Sequence, residues 1–260
     1  LLISIGAIMT LFPIFCAEIE NDLRRVLSYS LNNQLGFMVV GIGIGTEMAL
    51  NGTAAHAFCH ILYKALLFMS VGAVLFRTGT SKASELGGLY RTMPWTMTFC
   101  VIGAASISAF PLFSGFISKS LILSAAANQH YAIVWGVLVF ASAGVLSHSG
   151  IKIPYFTFFA HDSGKRPKEA PTHMLIAMGI TAFLCIFIGV FPGTLYALLP
   201  YEVNYAPYTV SHVLSQMQLL FFALLAFALL MRFGIYPAEK RGINTDQSPP
   251  AQSVHANFIN

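Results

Sequence analysis

Charge is what this sequence has least of: Asp, Glu, Lys and Arg together make up 9% of its 260 residues, against roughly a quarter in soluble domains. So little charge excludes an ordinary cytosolic enzyme, a disordered chain and a nucleic-acid binder, all of which need charged surface. Cysteine is also sparse. Cys16, Cys59, Cys100 and Cys185 fall inside apolar runs without CxxC or Cys/His ligand spacing, which reads as small buried hydrophobes rather than a disulfide framework or a metal site. There is no phosphate-binding glycine loop, hydrolytic triad or cofactor motif, so no cofactor is expected and catalysis by this chain alone is not. The first residues, LLISIGAIMTLF, have no Met, no basic n-region and no small-residue cleavage site; they do not look like a signal peptide, and the chain reads as a fragment whose beginning is missing. What is abundant is apolar: 56% of the residues, with mean hydropathy +0.71. This is the composition of an all-α, polytopic membrane protein.

A bilayer core of about 30 Å takes about 20 apolar helical residues. Suitable runs are Leu1 to Ala17, Val26 to Thr46, Thr53 to Phe76, Met93 to Phe110, Met174 to Phe191 and His212 to Phe233. Between the fourth and fifth of these, Gly115 to Ala127 is short, Asn128-Gln129-His130 interrupts, and Tyr131 to Ala160 is apolar again. If Gly115 to Ala160 crosses once, as a broken helix, then Arg24, Arg25, Arg77, Lys82, Arg91, Lys165, Arg166, Lys168, Arg232, Lys240 and Arg241 all fall on one side. If it crosses twice, they divide almost evenly. The positive-inside rule selects the first reading, giving about seven crossings with one discontinuous helix and cytoplasmic basic loops. Residues 1–236 are then the transmembrane domain, and the polar, proline-bearing stretch 237–260 is expected to be a disordered cytoplasmic tail.

Three lysines remain inside apolar segments. At a helix centre each costs about 2.5 to 3.5 kcal/mol to insert, so a buried lysine calls for a partner or a hydrated cavity. Lys152 lies late in its segment, where snorkelling to the headgroups is the plainer explanation. Lys64 is central in its span, and Lys119 lies in the short half of the broken helix. Lys64 continues a stripe: in HAFCHILYK, His56, His60 and Lys64 recur at i, i+4, each step rising about 6 Å and turning about 40° net. That spacing is too long for direct hydrogen bonds but suits single-water bridges in a proton relay. Burial disfavours the charged form of both side chains, so a change in nearby charge would switch Lys64 between states. An HxxxH pair also binds zinc, but the third ligand would be Cys59, about 100° off the stripe. Two haem-ligating histidines normally come from opposite helices. Packing histidines are the bland alternative.

Pro111, Gly115 and the Asn128-Gln129-His130 interruption place irregular backbone at membrane depth, tolerated where it is buried in protein or faces a wet cavity. Beyond it, His148 and Lys152 form another i, i+4 pair. The expected polar path therefore runs through His56, His60 and Lys64, then Lys119, then His130 or His148 and Lys152. None of the ten acidic residues lies centrally in a span, so Lys64 and Lys119 are expected to be neutral, hydrated or paired with a group outside this chain.

Four segments, NDLRRVLSYSLNNQLGF, HAFCHILYKALLF, GGLYRTMP and SAFPLFSGFISKSLIL, in this order resemble the antiporter-like membrane subunits shared by respiratory complex I, related membrane-bound hydrogenases and Mrp-type multisubunit sodium/proton antiporters. HSGIKIPYF, FFAHDSGKRPKEAP and MLIAMGITAFLCIFIGVFPG look closer to the MrpD-type component of the antiporters. The resemblance covers Leu1 to Phe233. It implies a fold of about fourteen helices in two inverted repeats, of which this chain holds the second. It also implies that Lys64 is the central lysine, that His56 and His60 lead to it, and that Lys119 is the ionisable residue of the second broken helix, where some members carry Glu. Arg24 stands where many members have Lys, and the first repeat's glutamate and lysine have no counterpart.

The leading expectation is a subunit moving H+, against Na+, within a larger complex of membrane subunits in the plasma or inner membrane. The second is a proton-pumping subunit of an NADH:quinone oxidoreductase or hydrogenase complex. The third is a non-transporting scaffold, in which Lys64 and Lys119 tolerate Met.

Overall fold

The computed structural model describes residues 1–233. The stretch 237–260, with Lys240 and Arg241, lies outside the described residues. Among the described residues there are helices and turns, and one isolated bridge pairs Asp22 with Lys82.

α1 (Leu2–Ile19) and α2 (Leu23–Ile44) form an antiparallel hairpin. The turn is set by Asp22, whose carboxylate accepts the Arg24 N–H at 2.8 Å and so satisfies an orphan donor at the start of α2. α3 (Glu47–Thr78) starts at Thr46, which accepts the Ala49 N–H in the same way. Its 32 residues span about 48 Å, so both ends project beyond the hydrocarbon layer. It is the hub of the bundle, packing on α2, α4 (Pro94–Ile107), α5 (Ser114–Asn128) and α8 (Thr172–Val190). α6 (Ala132–Val145) runs through a π-helical stretch, Leu146–Ile151, into α7 (Lys152–Pro154) and a second π stretch, Tyr155–Phe159. α9 (Pro192–Tyr196) is one short turn, and α10 (Val210–Arg232) lies on the outside over the first π stretch.

Contacts between the connections define two ends of the bundle. At one end Leu23 N–H donates to Ser81 O, Ala83 N–H to Asn21 O, Ser163 Oγ to Gly87 O, and Trp95 N–H to Glu169. At the other, Asn51 exchanges two hydrogen bonds with Tyr201, and Asn128 Nδ2 donates to Met48 Sδ. The loops carrying Arg24, Arg25, Lys82, Arg91, Lys165, Arg166 and Lys168 are all at the first end, as seven crossings require. Five segments are long and apolar enough to cross alone: α1, α3, Ala132–Phe159, α8 and α10. α2 and the α4–α5 pair complete the seven, and the chain is a multi-pass membrane protein.

The discontinuous crossing is not where the sequence pattern puts it. That pattern makes Gly115 to Ala160 one broken helix interrupted at Asn128-Gln129-His130; instead α5 continues α4. α4 starts at the basic end beside Glu169, α5 finishes at the far end beside Met48, and the break is Ser108–Phe113. Each half is about 20 Å long, too short to cross alone. Ala109 and Leu112 adopt φ of 57° and 72°, a conformation that is strained for residues with a Cβ. Gly115 is needed here because a Cβ would run into the Ser106 carbonyl. Asn128-Gln129-His130 is an exposed turn between crossings.

Candidate functional site

α3 carries His56, His60 and Lys64 on its buried face, and Lys64 is 4% exposed. The rings of His56 and His60 lie 6.2 Å apart, roughly parallel. His56 Nδ1 is 3.0 Å from the Ser118 hydroxyl of α5, and its other nitrogen is 3.5 Å from the Tyr63 hydroxyl. Tyr63 donates to Gln34 Oε1 at 3.0 Å, and Gln34 donates to Asn33 Oδ1 at 2.6 Å. α2 therefore lines the stripe with a buried polar row of Ser30, Asn33 and Gln34. The residue spacing i, i+3, i+4 on α2 was the available signal for this row.

Lys119 lies on α5, one residue past Ser118. Its Nζ donates to Ile107 O at 2.7 Å and sits 5.4 Å from the centre of the Phe37 ring. Ile107 is the last residue of α4, so the ammonium meets unpaired carbonyls at the negative end of a helix dipole. Lys152 is held in the same way at the end of α1, donating to Ala17 O at 2.9 Å and to Glu18 O and Glu20 O at 2.7 Å each. It is 4% exposed, so the expected snorkelling to the headgroups is replaced by capping. His148 sits one turn before it in the π stretch, fully buried; among the described residues neither ring nitrogen has a well-formed hydrogen bond, although the Gly144 carbonyl lies near the ring. Lys64 and Lys152 both lie within electrostatic reach of His148, and Lys119 within reach of His56, His60 and Lys64.

The three lysines thus differ in what supports their charge. Insertion costs about 2.5 to 3.5 kcal/mol each, and a charge-assisted hydrogen bond returns about 1.5 to 3 kcal/mol. Lys152 has three such carbonyls, and Lys119 has one with an aromatic face. Lys64 Nζ has no hydrogen-bond partner among the described residues, nor does His60 Nε2. Lys64 is the lysine whose charge is least compensated. Lys119 has in addition a partner inside the chain, the Ile107 carbonyl at the end of α4. Six of the expected residues, His56, His60, Lys64, Lys119, His148 and Lys152, come together as a buried line. His130 stands apart in the exposed α5–α6 turn, with φ 57°.

A multi-pass bundle built around a mid-membrane helix break and a line of buried bases is the architecture of an antiporter-like membrane subunit. The family described as NADH:quinone oxidoreductase/Mrp antiporter, TM matches residues 1–147, and the chain belongs to it. NADH-ubiquinone oxidoreductase chain 5 of Dugong dugon is 35% identical over 160 residues, 60% of this chain and 26% of the relative. That of Metridium senile is 30% identical over 191 residues, 71% of this chain and 31% of the relative. The chain therefore spans about a quarter to a third of the length of these relatives. Among solved structures, a chain of the Mrp complex from Dietzia sp. superposes with TM-score 0.68 at 20% identity, covering 75% of this chain and 44% of that one. A chain of the membrane-bound sulfane sulfur reductase, an archaeal respiratory membrane complex, superposes with TM-score 0.74 at 25% identity, covering 98% and 43%.

Proposed function

We propose that the chain translocates protons along the buried line His56, His60, Lys64 and His148, with Lys152 standing at its basic end and Lys119 at the helix break setting the charge felt by Lys64. The single observation that carries this reading is Lys64: a lysine at the middle of the bundle, without a hydrogen-bond partner among the described residues, between titratable neighbours on both sides. An amine whose charge no fixed partner holds gives up its proton readily and changes state with nearby charge, which is what a relay needs. His130 marks the far surface and lies off the buried line.

The protein works as one membrane subunit of a larger assembly, with its basic loops in the cytoplasm and the bilayer being the plasma or inner membrane. The Mrp-type reading, an MrpD-like component of a sodium/proton antiporter, is favoured by the HSGIKIPYF and GKRPKEAP segments and by the fold of the Dietzia sp. complex. Redox-driven pumping is the second reading, favoured by the relatives named NADH-ubiquinone oxidoreductase chain 5.

The test is proton flux in vesicles holding the intact complex, with Na+ or K+ gradients imposed and then with a quinone acceptor and NADH. Flux driven by the cation gradient supports the antiporter; flux only on adding the redox pair supports the pump. Absence of both supports the scaffold reading and contradicts the proposal.

A further inference from the structure

We propose that Lys152 is a gate residue: docked on the carbonyls that end α1, it holds the π-helical stretch Leu146–Ile151 closed between Lys64 and the basic end of the bundle. This rests on the proton pathway proposed above. The position of Lys152 is unusual in three ways. Its ammonium binds main-chain carbonyls of a different crossing, Ala17, Glu18 and Glu20, at 2.7 to 2.9 Å, and lies within electrostatic reach of the Glu18 and Glu20 carboxylates, so it ties α1 to the π-bearing crossing. It lies between two π-helical stretches, with Pro154 separating them. π-helical turns are rare, occur mostly at functional sites and are one of the few causes of a helix kink. Finally, His148 sits one turn away with neither ring nitrogen in a well-formed hydrogen bond among the described residues, so the ring is held mainly by packing.

The same stretch touches two other elements of the pathway. Ser149 Oγ donates to Ser30 Oγ of α2 at 2.9 Å. Gly150 is packed so tightly on Ser108, at the helix break, that a Cβ would fall on the Ser108 hydroxyl. A one-residue slip of the π turn rotates it by about 100°. That slip withdraws Lys152 from α1, turns His148 relative to Lys64 and releases the break together. With Lys152 docked, the α1 end is sealed; with it withdrawn, His148 opens toward the basic loops.

The experiment uses the intact complex in vesicles, with the driving force off, and measures passive proton leak per assembled complex in Lys152→Gln, Lys152→Met and Lys152→Arg. Loss of charge-assisted contacts shifts a two-state equilibrium by about tenfold, so Gln and Met are expected to raise the leak about tenfold, while Arg stays near the parent value. Adding Lys64→Ala to Lys152→Gln is expected to abolish the extra leak. An unchanged leak in assembled Gln or Met variants, with transport still dependent on Lys64, overturns the gate alone. Failure of both Gln and Met to assemble while Arg assembles makes Lys152 a structural cap and also overturns it. A leak that rises but survives Lys64→Ala overturns the pathway reading and, with it, the gate's place on that pathway.

Discussion

Lys119 Nζ lies 2.7 Å from the carbonyl of Ile107, twelve residues earlier in the chain and across the break in the same crossing. A lysine on one half-helix thus caps the carbonyl end of the other, and the break and the lysine stabilise each other. Replacing Lys119 by Met removes the charge and keeps the bulk. The complex is expected to assemble, since an apolar side chain avoids an insertion cost of about 2.5 to 3.5 kcal/mol, while proton flux in vesicles falls about tenfold or more. Unchanged flux at equal assembly would separate Lys119 from transport.

Gly150 and Ser108 offer a test of how tightly the π stretch is coupled to the break. The Ser108 hydroxyl donates to Ala104 O at 2.6 Å and occupies the space that a Cβ on Gly150 would need. Gly150→Ala is expected to destabilise the complex by about 1 to 3 kcal/mol through overpacking. Adding Ser108→Ala is expected to recover more than about 0.5 kcal/mol of that loss. Thermal unfolding of the four species closes the cycle, and simple additivity would mean that the two elements move independently.

Tyr63 ties α3 to α2 through Gln34 at 3.0 Å. Tyr63→Phe leaves a buried acceptor without its donor, so a loss of about 1 to 3 kcal/mol is expected, read from the denaturation midpoint. Proton flux is expected to fall less than for Lys119→Met, because Tyr63 positions His56 and Gln34 without lying in the line. A fall in flux as deep as that of Lys119→Met would place Tyr63 in the relay itself.

At the basic end, the Asp162 carboxylate receives Arg166 Nη1 at 2.8 Å and the Gly164 N–H at 2.9 Å. These hold its carboxyl well below the usual carboxylate range, with the Arg166 hydrogen bond as the largest cause. Glu85 is also lowered, first by the Thr80 hydroxyl at 2.6 Å and then by Lys82. A depressed folded pKa contributes order that is fully present above the unfolded value, about 4, and is lost as pH falls through the folded value. Hydrogen exchange in the 80–91 and 161–171 loops should therefore be constant from pH 7 to about 5 after correction for intrinsic rates, and rise on acidification below about 4. A rise already at about pH 6 would implicate a histidine instead.

Much of this arrangement is legible in the chain. Low charge with long apolar runs gives the crossings, and the one-sided basic residues give their parity, because lysine and arginine sit where headgroups are. The stripe of His56, His60 and Lys64 follows from helical spacing. The break did not follow, for a physical reason: Ser108–Phe113 is made of apolar and small residues, while Asn128-Gln129-His130 has the polar look of an interruption and is only a surface turn. Of the marks of irregular backbone read there, Pro111 was the one that located the break, since proline drives the residue before it out of the helical region. The support of Lys119 was hidden too, because its partner is a main-chain carbonyl at a helix end; for Lys152, Glu18 and Glu20 near the end of α1 were the side-chain signal. The π stretches around Pro154 leave no mark in hydrophobic periodicity.

The central claim is that Lys64, the buried lysine with the least compensated charge, exchanges the translocated proton. The direct measurement is proton flux in vesicles holding the intact complex with Lys64→Ala, normalised to assembled complex. Flux is expected to fall about tenfold or more, with assembly at or above the parent level because an expensive buried amine is gone. Flux equal to the parent's, at equal assembly, would contradict the account.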